Sequence, residues 1–104
     1  MRIKKKDTEE FKVDESSVLR HFLPEESSFS ISFLDVDGVH ENSSEAEIAY
    51  FVLEGQAVVK LDKRIVELSK DEVFYVGNEE HVIEGKTKVL VVRSPPAEKP
   101  EEEL

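Results

Sequence analysis

"YFVLEGQAVVKLDKRIVELSKDEVFYVGNEEHVIEG", Tyr50 to Gly85, decides the fold. Its first run, "YFVLEG", is dense in aromatic and β-branched residues and stops at Gly55, as a half-buried strand closed by a breaker would. In "QAVVKLDKRIVELS", two short apolar runs flank Asp62-Lys63, which predicts a tight hairpin. "DEVFYVG" and "EEHVIEG" add two more short strand signals bounded by turn residues. No long stretch carries a helical period. The pattern Ser44-x-x-Glu47 matches a capping box, but the run after it is rich in β formers, so it opens at most a short turn.

Upstream, "FSISFLDVDG" alternates Phe29, Ile31 and Phe33 with Ser30 and Ser32, a period of two with one apolar face. Its end, "DVDG" at Asp35 to Gly38, does not fit an EF-hand calcium loop and is read as a turn. Downstream, "TKVLVVRSPP" is the last strand. Roughly seven or eight strands of this spacing imply an antiparallel sandwich or barrel. Ligands in such barrels sit in the mouth or interior, lined by alternate residues of several strands. The expected organisation is one domain: Met1 to Val13 as an N-terminal arm or edge strand, Asp14 to Ser94 as the barrel, and Pro95 to Leu104 as an acidic flexible tail.

Composition narrows the function. The formal charge of −10 would repel nucleic acid at long range, and "KKK" at Lys4 to Lys6 is followed at once by Asp7, Glu9 and Glu10. The absence of cysteine removes disulfides, thiolate metal sites and cysteine nucleophiles together. No apolar run approaches the ~20 residues that span a bilayer, and "MRIKKKDTEE" lacks the apolar core of a secretory signal. A cytoplasmic protein is expected, in which the sequon at Asn42 is a chance match. Abundant Lys and Glu with one glutamine resemble thermophile composition.

The stretch from Tyr50 to Gly85, with "VLVVRSPP" after it, resembles the cupin superfamily over residues 17 to 96. Small cupins carry a strand ending in a "YVLEG"-like run, a hairpin, a "GD…P.G..H" run and a last strand often ending in "SPP". Tyr50 to Gly55, Asp62-Lys63, Asp71, Gly77, His81 and the final strand follow in that order. The resemblance implies an all-β antiparallel double-stranded β-helix, a jelly-roll barrel, and a homodimer in which an exposed strand edge is covered.

The family's metal motifs are degenerate here. Anchored on Gly55, the first motif, G-x5-H-x-H-x(3,4)-E-x6-G, puts its glutamate at Ile48. Its histidines fall at Asn42 and Ser44, or at Glu41 and Ser43. Anchored on His81, the second, G-x5-P-x-G-x2-H-x3-N, puts Lys70, Val76, Asn78 and Gly85 at its other positions. One of four expected ligands is present, and affinity falls steeply as ligands are lost, so a barrel without the usual metal is the favoured reading. If Ile48 points inward, so do Tyr50 and Val52, giving an apolar pocket holding a phenol.

The candidate ligand-binding residues are therefore Ile48, Tyr50, His81 and Asn42, with Ser43, Ser44 and Glu45 beside Asn42 as hydrogen-bonding replacements or an exposed loop. His81 is the one catalytic candidate, with Glu79 two residues away to fix its tautomer; packing in the barrel mouth is the plainer role. His21 is read as surface or dimer edge. An alternative site for Mn, Fe or Zn needs a β-bulge before Gly55 to turn Glu47 inward beside His40 and His81. Three functions follow: a metal-free binder of a small polar or aromatic molecule, a metal-dependent oxygenase or isomerase, and an interaction subunit using its acidic tail.

Overall fold

The computed structural model describes residues 2, 4–21, 28–42 and 46–95. Among them, one 3-10 turn, Lys5–Asp7, precedes seven strands: β1 (Glu10–Asp14), β2 (Ser17–His21), β3 (Ser30–Asn42), β4 (Glu47–Lys60), β5 (Ile65–Leu68), β6 (Val73–Val76) and β7 (His81–Ser94). All pairings are antiparallel, in the order β1-β2-β3-β7-β4-β5, with β6 on the other half of β4. The tail beyond residue 95 and the stretch Ser43 to Glu45 lie outside the described residues. Among the described residues no helix is long and apolar enough to cross a membrane.

The hairpin at Asp62-Lys63 is in place: Lys60 faces Ile65, and the Leu61 amide donates to the Arg64 carbonyl at 2.9 Å. The glycine stops are corrected. "DVDG" is not a turn but part of β3, and Gly55 and Gly85 lie inside β4 and β7 rather than ending them. Gly38 faces Gly85, Gly85 faces Ala57, and Gly55 faces Thr87, so the three long strands bend at one level. The bend needs glycine: φ is 77° at Gly55 and 129° at Gly85. A Cβ at Gly55 would stand 2.2 Å from the Lys86 carbonyl oxygen, and one at Gly85 2.6 Å from that of Gln56. A glycine that bends a strand and one that stops it look the same in sequence.

The bend closes the barrel. Tyr50 faces Val91 in the ladder, yet its hydroxyl touches His81 at the other end of β7, about 30 Å away were that strand straight. Inside lies an apolar core including Leu34, Ile48, Val52, Val59, Ile83 and Val89. A bulge between Val52 and Glu54 switches which parity of β4 faces inward: Ile48, Tyr50 and Val52 before it, Ala57 and Val59 after it. Each fully buried Val or Ile stabilises the fold by roughly 1.5–3 kcal/mol, so this parity is strongly specified.

The N-terminal segment is tied to the sheet. Arg20 of β2 donates to the carbonyls of Lys5 (3.0 Å) and Thr8 (2.8 Å) and pairs with Glu10. β1 forms the sheet edge, and Val13 packs against the core. The hairpin thus carries Asp14 to the side of β3.

Candidate functional site

Tyr50, wholly buried, sets its hydroxyl 2.6 Å from Nε2 of His81, which is 4% exposed; the rings meet edge to face at 5.5 Å. On the other side of the ring, Nδ1 lies 2.9 Å from the Glu79 carbonyl oxygen. A carbonyl only accepts, so the neutral ring carries its proton on Nδ1, and Nε2 accepts from the Tyr50 hydroxyl. The carboxylate of Glu79, expected to hold the tautomer, is not the group that does so. Residues 79 and 80 lie outside any strand, so the two-residue alternation does not apply there and the backbone oxygen reaches the ring instead.

Burial pushes the Tyr50 phenol up, while a hydrogen bond from Asn42 and the charge of Arg93 oppose the rise. Burial likewise pushes the His81 imidazole below its ordinary value, with the Glu79 carbonyl opposing and the nearby His40 adding to the fall. Both groups are therefore neutral at physiological pH, and a directed chain runs from Asn42 through Tyr50 and His81 to Glu79. Such a chain offsets the roughly 1–3 kcal/mol that each buried polar group would otherwise cost.

The remaining candidates divide. Asn42 faces His81 in the β3–β7 ladder and is half-buried beside Tyr50, while Ile48 forms an apolar wall. His40 shares that inward face, opposite Ile83, but its Nδ1 is bound to Asp14 Oδ2 at 2.6 Å. Glu47 points outward and accepts a 2.8 Å bond from the Tyr75 hydroxyl. The bulge exists, but it lies after Val52 and leaves Glu47 outside, because Ile48 takes the buried position. His40, Glu47 and His81 do not converge, and among the described residues no group of three or more His, Cys, Asp or Glu could hold a metal ion. These residues do not fit the metal that the resemblance implies. His21 is in β2; its side chain lies outside what the structure describes.

Two residues escaped the sequence reading. Arg93 has a buried Nε without a hydrogen-bond partner among the described residues, and its charge reaches the Tyr50 phenol. Its signal was present: a lone charge in "VLVVRS", two residues past the inward Val89 and Val91 pair of positions. Asp14 gave no signal, being one carboxylate among many.

A concavity of about 810 Å³ lies elsewhere, on the outer side of the bend. Its floor crosses Lys12, Val18, Asp35, Lys88 and Glu54, residues that face one another in successive ladders. Alternating charges there satisfy one another across the strands, as in the Lys88–Asp35 pair at 3.8 Å. Size notwithstanding, the convergent polar groups are inside the barrel.

No protein-family model matches the chain, and no curated protein matches it in sequence. Solved structures do match in shape. A Streptomyces protein, Pac13, described as a unique nucleoside dehydratase and solved with uridine, superposes with a TM-score of 0.82 at 17% identity, covering 94% of this chain and 84% of that one. An RmlC-like cupin from Shewanella frigidimarina matches with a TM-score of 0.73 at 19% identity, covering 86% of each chain. KdgF from Halomonas matches at 0.71 and 16%, covering 89% of this chain and 93% of that one. The chain has the cupin fold.

Proposed function

We propose that this cupin-fold barrel binds a small molecule at the end bounded by Asn42, Ile48, Tyr50, His81 and Arg93, without a metal held by these side chains. One observation carries the reading: the buried Arg93 Nε has no acceptor among the described residues, beside an otherwise satisfied polar chain in an apolar interior. A buried donor left unmatched costs about 1–3 kcal/mol, which an acceptor oxygen on a ligand would recover. The likeness in fold to a protein solved with uridine supports a nucleoside-sized occupant.

Thermal unfolding and calorimetry with uridine and D-glucuronate test this. Binding to the native state raises the melting temperature in a saturable way, and Arg93→Ala abolishes the rise. If neither compound shifts wild-type protein at millimolar concentration, the reading fails and the interaction-subunit alternative takes its place.

A second reading, an acid–base enzyme, is favoured by the Tyr50–His81 contact. A phenol coupled to a neutral imidazole supplies both halves of a proton relay. Chemical change in a bound compound, followed by NMR, would promote it.

A further inference from the structure

The barrel end has a second wall, made by the β1–β2 hairpin. Asp14 closes β1, where the register slips between Lys12 and Asp14. Its Oδ1 accepts from the Ser16 amide at 2.8 Å, which fixes the carboxylate in the turn, and its Oδ2 lies 2.6 Å from His40 Nδ1. A carboxylate only accepts here, so Nδ1 of His40 carries a proton, and in the singly protonated ring Nε2 is then a lone pair. Among the described residues nothing hydrogen-bonds that nitrogen.

Position makes this lone pair useful. His40 and Asn42 alternate on the inward face of β3, opposite Ile83 and His81 of β7. Diagonal neighbours across a ladder lie about 7–8 Å apart, which places the His40 ring beside the Tyr50–His81 pair. The two rings are close enough to interact, His40 being among the groups that lower the His81 pKa.

We propose that Asp14 and His40 complete the ligand site, with His40 Nε2 as acceptor for a ligand hydroxyl or N–H and Asp14 as the positioning residue that sets the tautomer. The proposal rests on the binding-site reading above and specifies the ligand class. Arg93 offers a donor and His40 an acceptor, so the ligand carries both an acceptor oxygen and a hydroxyl or N–H. Nucleosides and sugar acids share that chemistry; a simple carboxylate such as acetate lacks the donor.

The test has two arms. In ¹⁵N-histidine-labelled protein at about pH 8, where an unperturbed imidazole is neutral, His40 shows the Nδ1-protonated signature; Asp14→Ala loses it and Asp14→Glu restores it. In calorimetry, uridine or D-glucuronate binds Asp14→Ala about tenfold more weakly than wild type, with recovery in Asp14→Glu and no change for acetate. Should Asp14→Ala fail to fold, His40→Leu removes the same acceptor and shows the same loss. Equal binding by wild type and the variants overturns this inference alone, as does an unchanged His40 signature. No binding by wild type overturns the site reading itself, and this inference with it.

Discussion

Two histidines share the inward face of the β3–β7 ladder, and their rings are used in opposite ways. His81 has both nitrogens taken by the protein, Nε2 by Tyr50 and Nδ1 by the Glu79 carbonyl. His40 has one nitrogen taken, by Asp14, and among the described residues nothing binds the other. The first arrangement is a lock across the barrel, joining β4 to the start of β7. The second is the group that we propose meets a ligand. Residue type and exposure alone would not separate them; the partner at the second nitrogen does.

The largest effect expected from breaking this contrast is on stability. Tyr50→Phe leaves the ring in place and removes the one donor to His81 Nε2, stranding a buried acceptor. Urea unfolding should show a loss of about 1–3 kcal/mol. Unchanged stability would mean that the contact is not a lock.

The pH dependence sharpens the same contrast. The folded-state pKa of His81 is depressed below the ordinary 6.5, so the unfolded chain binds the additional proton. Stability from this group is complete above about pH 6.5 and is lost as pH falls through that value toward the lower folded-state one. Asp14 behaves differently in window, not in sign. Burial raises its pKa, but the hydrogen bonds from His40 and the Ser16 amide outweigh that and hold it below the ordinary 3.8, so its contribution fades only at more acid pH. Urea midpoints followed from about pH 7.5 to 5 should fall in wild type and flatten in His81→Gln. A wild-type slope that survives in the variant would assign the titration elsewhere.

The smallest effect is expected at Glu47, which belongs to neither network. Glu47→Ala should leave the unfolding midpoint and uridine binding unchanged, because its carboxylate faces solvent and among the described residues hydrogen-bonds only Tyr75. A loss of binding would restore Glu47 to the interior site.

How much was legible follows from the range of each signal. The strand segments on either side of each glycine in β3, β4 and β7, though not their continuity, and the Asp62-Lys63 hairpin were readable because alternation and turn chemistry act between near neighbours. So was the inward set Ile48, Tyr50 and Val52, which needs only the period of two. Asp14 and His40 are 26 residues apart, and nothing local to either announces the pair. Glu79 was misassigned because a side chain is visible in a sequence and a carbonyl is not.

By itself, the sequence determined an antiparallel all-β chain, since periodicity is a property of the residues; the degenerate metal motif is what the resemblance to cupins implied. Only the tertiary structure decided that Gly38, Gly55 and Gly85 bend strands rather than end them, and that His81 is bound by Tyr50 and the Glu79 carbonyl while His40 is bound by Asp14. Those outcomes depend on which atoms the closed barrel brings within hydrogen-bonding distance. That is set by closure of the whole sheet, which no single segment encodes.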